Sequence, residues 1–389
     1  MTPRELAEIK RRLNPDKRNP TVIRGCYVAA DGHIISAFTQ SVHALPDSDN
    51  EKFMAVFRRA LSGTQGQNLL PVDFPAATVA EGEEHHRLLM TLRDSGLKDD
   101  DAVDTLFTRV IDALMNDPNR PAEGAGDESA ARWLILLLHD GYDVPHRGSD
   151  GENDRERSVD VFRYILCCVC PVKPTKEALS WFSDTATFHT RDASWNVGNP
   201  EAGFMFPAFE NRGANIYGAL YYTRDIADLH DVLVDRVFGL PSFMPAAEQR
   251  ETFQTVLQES LAEECSMEVV QAVHDTVSSM VEERSTDKNA EPLTLSKTEM
   301  KAVLQSCGVS EERTDDFEQR YSEAFGEFAQ MPAVNIVNPK QYKVATPSVQ
   351  IQVDPAHSDL VQTRVIDGKR YILVLADGDV MVNGMTVNG

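Results

Sequence analysis

Residues 2–28, TPRELAEIKRRLNPDKRNPTVIRGCYV, predict a capped basic helix that leads into a buried strand. Thr2 stands at the N-cap position, Glu5 can reach back to it as a capping box, and the proline between them suits the first helical turn. Apolar side chains then recur at helical spacing, namely Leu6, Ile9 and Leu13. Two Asn-Pro pairs end this segment before Val22–Val28, an apolar run with the composition of a strand.

The same helix concentrates positive charge in a chain whose net charge is −23. Its basic residues are Arg4, Lys10, Arg11 and Arg12. Residues 1–24 could form an arm that binds phosphate, nucleic acid or a partner, with Arg11 and Arg12 as candidate binding residues. The alternative is a helix that docks onto the protein through its apolar face. The second interpretation is favoured because an apolar stripe on a helix usually faces a core.

Composition is typical of a globular protein, with 389 residues of which 42% are hydrophobic and 25% charged. This length suits two or three domains rather than one. No apolar run approaches the roughly 20 residues of a membrane-spanning helix, and the first residues lack the apolar core of a signal peptide. We therefore expect a cytoplasmic protein without a membrane partner. The negative charge argues against a broad nucleic-acid-binding surface, which needs clustered Lys and Arg.

Hydrophobic periodicity predicts alternating strands and helices up to about residue 240. Val22–Val28 and Ile34–Phe38 flank an Asp-Gly turn, which is typical of a hairpin. A helix is predicted over Asp99–Asn116. Trp133–Leu138 and Val161–Val172 are strongly apolar and are predicted to be central strands. This alternation favours a mixed sheet with helices packed against it.

Beyond this region the pattern is first helical and then β. Helices are predicted from Pro245 onward, one of them opened by a second capping box at Ser296 and Glu299. Turns at Asp367-Gly368 and Asn383-Gly384 then predict a small antiparallel meander. The predicted class is α+β. Its predicted parts are a basic N-terminal helix (1–20), a mixed α/β domain (21–240), a helical domain (241–330) and a C-terminal β meander (331–389).

The cysteines do not form the regular pattern of a secreted disulfide framework. They are Cys26, Cys167, Cys168, Cys170, Cys265 and Cys307. The crowded run Cys167-Cys168-Val169-Cys170 lies in a predicted strand, where neighbouring side chains point to opposite faces and the thiols could not converge on one metal. We therefore predict buried apolar cysteines and no cofactor.

A cluster of four metal-ligand types follows the apolar run that ends at Leu138. It consists of His139, Asp140, Asp143 and His146. The carboxyl end of a strand is a frequent active-site position, so one hypothesis is a metal-dependent hydrolase centred on these residues. Turn chemistry explains the Asp, Gly and Pro of this segment equally well. If the strand instead continued, His139 and Asp140 would point to opposite faces.

A second candidate site lies among the aromatic residues of 175–225. Arg212, Asn215 and Tyr217 could form a recognition surface or a small-ligand pocket, because Arg and Tyr are frequent in binding hot spots. The alternative is that the aromatic residues are core and Arg212 pairs with an acidic side chain.

Several phrases are similar to a bacterial protein family, domain of unknown function 4317. They include MTPRELAEIKRRLNPDKRNPTVIRGCYV (1–28), ILLLHDGYDVP (135–145), GFMFPAFENRGANIYGALYYTRD (203–225) and TRVIDGKRYILV (363–374). The resemblance spans nearly the whole chain and implies no activity.

The order of elements also resembles the bacterial nucleoid-associated protein family, in which a helical middle region is followed by a helix opened by a Leu-Ser-Lys-like stretch. The matching features here are Leu295-Ser296-Lys297, the aromatic helix Phe317–Phe325 and the strand Tyr371–Leu375. The leading prediction is therefore a non-enzymatic, nucleoid-associated-like or adaptor protein that acts through a protein partner. Nucleic acid would be contacted indirectly or through residues 1–24, and homo-oligomerisation is left open. The two alternatives are the metal-dependent hydrolase and the small-ligand-binding module.

Overall fold

A computed structural model gives the architecture of most of the chain. It describes residues 1–119, 132–147, 153–175, 178–191, 194–240, 244–287, 290–327, 329–338, 341–376, 378, 380–382 and 385–387. The chain divides into two compact units, Met1–Pro245 and Ala246–Gly389. None of the helices in the described ranges is both long and apolar enough to cross a membrane.

The first unit is built on one large sheet. Its strands and the small hairpins beside it are β1 (Val22–Val28), β2 (Ile34–Ser41), β3 (Leu69–Asp73), β4 (Arg132–Arg147), β5 (Asn153–Pro174), β6 (Ala178–Phe182), β7 (Thr187–Arg191), β8 (Trp195–Val197), β9 (Ala202–Phe206), β10 (Ala208–Glu210), β11 (Gly213–Asn215) and β12 (Gly218–Thr223). The order across the sheet is β2-β1-β4-β5-β9-β12-β3, and β8 pairs with one end of β5.

All ladders between the described strands of this sheet are antiparallel. The α+β class is confirmed, but the parallel component that strand–helix alternation suggested is not seen among these ladders. The reason is that the helices between β3 and β4 join strands that are not neighbours in the sheet. They therefore do not form the crossover of a parallel pair.

Helices cover both faces of the sheet. They are α1 (Pro3–Arg12), α2 (Asp47–Arg59), α3 (Ala76–Glu81), α4 (Glu84–Ser95), α5 (Asp100–Met115) and α6 (Asp231–Phe238). One face, here the α5 face, packs residues such as Ile135 and Leu137 against α4, α5 and α6. The other, the α1 face, packs Leu136 and Leu138 against α1 and α2. The capping box that opens α1 is confirmed, because Thr2 Oγ1 accepts from the backbone N–H of Glu5 and the Glu5 carboxylate accepts from the Thr2 N–H.

The predicted β1–β2 hairpin is confirmed, but β4 is longer than its apolar run. Strand β1 pairs with β4 only as far as His139, whereas β4 and β5 remain paired up to Arg147. This extension is two-stranded and does not need the continuous apolar sequence of a central strand. The segment predicted to follow the strand therefore lies within it.

The predicted burial of the cysteines is confirmed for the run in β5. Cys167 packs in the core of the α5 face, whereas Cys168 and Cys170 pack in the core of the α1 face. Burial raises the pKa of the Cys170 thiol to about 12, with a further contribution from Glu201. These thiols are therefore protonated, and they cannot converge on a metal from opposite faces.

The second unit has a helical core followed by hairpins. Its elements are α7 (Ala246–Leu261), α8 (Met267–Thr286), β13 (Thr294–Ser296), α9 (Lys297–Ser306), α10 (Glu311–Phe325), β14 (Gln330–Pro332), α11 (Ala333–Ile336), β15 (Tyr342–Ala345), β16 (Gln350–Val353), β17 (Val361–Ile366), β18 (Lys369–Val374), β19 (Val380–Val382) and β20 (Met385–Val387). The capping box of Ser296 and Glu299 is confirmed. The core includes Met331 and Ala333, which follow the predicted boundary at residue 330.

Strands β15 to β20 pair as three separate two-stranded hairpins rather than as one continuous meander. Large apolar side chains in them remain exposed, such as Val365 at 71%. The turn predicted at Asn383-Gly384 lies outside the described residues.

Candidate functional site

A cleft of about 600 Å³ opens on the α5 face, where the helical cover of the sheet ends. Along β4 the side chains on this face are Ile135, Leu137 and then His139. The first two lie beneath the helices, whereas His139 lies beneath the turn between α4 and α5. Gly96 ends α4 there in the left-handed conformation that favours glycine, with a φ of 63°.

Four strands supply the floor of the cleft in adjacent positions. Arg24 on β1 pairs with Thr39 on β2. On β4, His139 lies two residues before Gly141, and Gly141 pairs with Arg163 on β5. Residues directly opposite in an antiparallel ladder share a face of the sheet. The ladder register therefore brings Arg24, His139 and Arg163 to one side, and the absence of a side chain at Gly141 leaves space between them.

The cleft holds an excess of positive charge in a strongly acidic protein. The Arg24 guanidinium is fixed by the Leu97 carbonyl oxygen at 3.1 Å and by an Asp100 carboxylate oxygen at 2.8 Å. Lys98 and Arg163 also line the cleft, and neither forms an ion pair with any other residue in the described part of the chain. Two cations are thus presented to solvent in a concave site.

His139 is the least satisfied polar group of the cleft. Its Nδ1 lies 3.0 Å from the Thr21 hydroxyl oxygen. Its Nε2 is buried and has no hydrogen-bond partner among the described residues. Burial lowers the pKa of His139 below its ordinary 6.5; Asp140 opposes this shift, and Arg163 and Lys98 reinforce it. The imidazole is therefore neutral at about pH 7, and one of its ring nitrogens is without a hydrogen-bond partner among the described residues.

The three described side chains of the predicted metal cluster are far apart or on opposite faces of the sheet. His139 lies on the α5 face, whereas Asp140 lies fully buried on the α1 face. Asp143 is exposed four residues further along β4, about 13 Å from His139 at the rise of a strand. The side chain of His146 lies outside the described residues. Because β4 continues through this segment, neighbouring side chains alternate, and His139, Asp140 and Asp143 do not form the metal centre that the sequence suggested.

Asp140 is instead the centre of a buried polar network. Its two carboxylate oxygens accept from Nε and an Nη of Arg12, each at 2.8 Å, and from the Tyr164 hydroxyl at 3.0 Å. Arg12 also donates to the Gly141 carbonyl oxygen at 3.1 Å. Arg12, one of the two predicted binding residues of the basic arm, is therefore paired with groups inside the protein.

The basic helix as a whole is docked. Leu6, Ile9 and Leu13 are 6%, 0% and 0% exposed in the core of the α1 face. Arg11 is exposed. This arrangement fits the interpretation of a docked amphipathic helix.

The predicted recognition residues lie around the β10–β11 hairpin. Arg212 donates to the Glu8 carboxylate at 3.0 Å, and the Asn215 amide donates to Glu210 at 2.8 Å. Tyr217 is 47% exposed. Arg212 and Asn215 thus stabilise the positions of α1 and the hairpin. For Arg212 this agrees with the alternative interpretation, in which it pairs with an acidic side chain.

One group of potential metal ligands was not indicated by the sequence pattern. Potential ligand atoms of Asp117, Asp228 and His230 lie within 4.8 Å of one another. The His230 Nδ1 is 3.2 Å from an Asp117 carboxylate oxygen. A divalent cation would suit this donor set, but the imidazole–carboxylate contact already accounts for its compactness.

Comparison with known proteins identifies a family. A family model described as Domain of unknown function (DUF4317) matches residues 1–385, which confirms that resemblance. No curated protein and no solved structure matches the chain. The resemblance to the nucleoid-associated family is not supported by these comparisons.

Proposed function

The chain belongs to the DUF4317 family, and we propose that it binds a small anionic metabolite in the cleft around His139. The observation that carries this proposal is the buried Nε2 of His139, which has no partner among the described residues. A buried polar atom left unpaired costs about 1–3 kcal/mol, so such an atom in a cleft favours a site that a ligand completes.

The charge of the cleft favours an anion. Lys98 and Arg163 have no acidic partner among the described residues, although the chain has 61 acidic and 38 basic residues. A guanidinium can bind a phosphate or carboxylate through two parallel hydrogen bonds.

The size and lining of the cleft favour a small organic molecule rather than a polymer. Small-molecule sites span about 300–1,000 Å³, and this cleft of about 600 Å³ lies within that range. Thr21 and Thr39 add hydroxyl groups, and Leu97 adds an apolar wall. A polar metabolite with a phosphate or carboxylate group fits this combination.

A calorimetric titration tests the proposal directly. We expect the full chain to bind glucose 6-phosphate, to bind it more weakly as salt is added, and not to bind glucose, because the anionic group supplies the main attraction. Absence of binding by every phosphate and carboxylate tested at low salt would refute the proposed function.

A second candidate function, contact with a protein partner, is favoured by one exposed surface. The aromatic hairpin, residues 178–191, presents Leu179, Trp181 and Phe188 at 72%, 54% and 60% exposure. Trp181 and Phe188 face each other across the hairpin with ring centroids 5.1 Å apart. Exposed apolar clusters of this kind mark interaction sites more often than isolated apolar residues do. This surface supports the adaptor role predicted from the sequence.

The contribution of the hairpin to partner binding can be measured by substitution. We expect the double substitution Trp181→Ser and Phe188→Ser to abolish retention of any protein that the wild-type chain binds reproducibly, since buried aromatic anchors dominate interface energies. Ser180→Thr, on the opposite face of the same hairpin, is the matched control and should retain the partner. Equal retention by both variants would exclude the hairpin as the contact.

A further inference from the structure

We infer that the cleft selects a phosphate monoester in its dianionic form and that one proton is taken up on the His139 imidazole when this ligand binds. The inference rests on the proposed function and specifies the ligand class and the pH response of the same site. The proton comes from solvent and stays on the imidazole, so that no bond of the ligand is formed or broken.

The hydrogen bonds of His139 define where this proton is needed. The Thr21 hydroxyl oxygen lies 3.0 Å from His139 Nδ1 and 3.2 Å from the carbonyl oxygen of the same residue. When the hydroxyl donates to the carbonyl, Nδ1 carries a proton and donates to the hydroxyl oxygen. The neutral ring then presents a bare lone pair at Nε2, which repels an anionic oxygen.

Protonation at Nε2 replaces the repulsion between the lone pair and the anionic oxygen by a hydrogen bond. The imidazolium donates from both ring nitrogens, from Nδ1 to Thr21 and from Nε2 to the bound ligand. A phosphate oxygen at that point accepts a charge-assisted hydrogen bond from the group that had no partner among the described residues.

The cations around His139 oppose protonation of the imidazole when the cleft is empty. A bound anion offsets these cations and so favours protonation. Arg24 faces it from β1, Arg163 from β5, Asp94 from the last turn of α4, and Lys98 from the segment between α4 and α5. Asp140 contributes from the other face of the sheet, where Arg12 neutralises it. The cations disfavour a further positive charge until an anion offsets them.

A dianion offsets these cations more fully than a monoanion does. Phosphate monoesters have a second pKa of about 6 and are mostly dianionic at about pH 7. Sulfate esters and carboxylates of similar size carry a single charge. The site should therefore prefer the phosphate ester and couple its binding to proton uptake.

Calorimetry in buffers of different ionisation enthalpy measures this coupling. At about pH 7 the dependence of the binding enthalpy on the buffer is expected to show uptake of close to one proton for each glucose 6-phosphate bound. The affinity should then rise by up to about tenfold as the pH falls from about 8 to about 7. Glucose 6-sulfate should bind more weakly and with less proton uptake.

Two variants assign the proton to His139. His139→Gln supplies a donor that does not titrate, so we expect weaker binding of glucose 6-phosphate without proton uptake. Lys98→Gln removes a cation from the same cleft, and we expect weaker binding with the uptake retained. Circular dichroism and thermal unfolding of each variant show whether it is folded.

The outcomes separate this inference from the proposed function. If wild-type protein binds glucose 6-phosphate with an enthalpy independent of the buffer, the inference fails and the proposed function stands. Proton uptake that persists unchanged in His139→Gln also overturns the inference. If no phosphate or sulfate ester binds at all, the proposed function itself fails.

Discussion

Asp140→Ala is expected to destabilise the first unit by about 3–5 kcal/mol, because it leaves the Arg12 guanidinium without its buried counter-ion. The Asp140 side chain is 0% exposed and Arg12 is 19% exposed, so water can replace little of the lost interaction. The Tyr164 hydroxyl loses its acceptor at the same time. Helix α1, which this network fixes to β4, should loosen first.

Tryptophan fluorescence isolates this effect from the second unit. All three tryptophans of the chain, Trp133, Trp181 and Trp195, lie in the first unit. Urea unfolding followed at these residues therefore measures the unit that holds Asp140. Tyr164→Phe is a graded control that removes only one hydrogen bond to the carboxylate and should cost about 1.5–3 kcal/mol.

A double substitution tests whether the unpaired charge causes the loss. Replacing Arg12 and Asp140 together by leucine removes both charges, and we expect this variant to be more stable than Asp140→Ala. An Asp140→Ala variant that unfolds at the wild-type urea concentration would show that the network does not hold α1.

Arg163→Glu is expected to weaken the binding of glucose 6-phosphate by at least about 100-fold. Loss of a hydrogen bond to a charged group costs about 1.5–3 kcal/mol, and the introduced carboxylate adds repulsion. Each 1.4 kcal/mol corresponds to about a tenfold change in the dissociation constant. Arg163 is exposed at the rim of the cleft, so the substitution should leave the fold intact.

Arg59→Glu is the matched control for the change in net charge. Arg59 is an exposed residue of α2, which packs on the α1 face of the sheet, opposite the cleft. We expect this variant to bind within a few-fold of wild type. If both variants weaken binding equally, the effect is one of overall charge, and the cleft is not the site.

Local sequence predicted the local structure well. The capping boxes at Thr2 and Ser296 and the β1–β2 hairpin depend on residues a few positions apart, and all of them are present. The extent of β4 was not predicted, because pairing beyond Leu138 depends on β5 and not on apolar alternation. The antiparallel order of the sheet likewise depends on which distant strands become neighbours.

The site was only partly visible in the sequence. His139 was singled out, but for a metal centre with Asp140, which strand alternation excludes. The sequence nevertheless carries a signal for the cleft. Arg24, His139 and Arg163 each occupy a position in phase with the core-facing side chains of their strand, where another apolar residue would be expected. These residues line a cleft because α4 ends above this part of the sheet. Where α4 ends relative to the sheet depends on tertiary packing.

The most direct test of the anion-binding cleft is a crystal structure of the chain with glucose 6-phosphate. We expect a phosphate group in the cleft, with oxygens at about 2.7–3.2 Å from the Nε2 of His139 and the guanidinium of Arg163. A structure in which the bound ligand occupies another site while this cleft holds none of it would show that the cleft is not the anion-binding site.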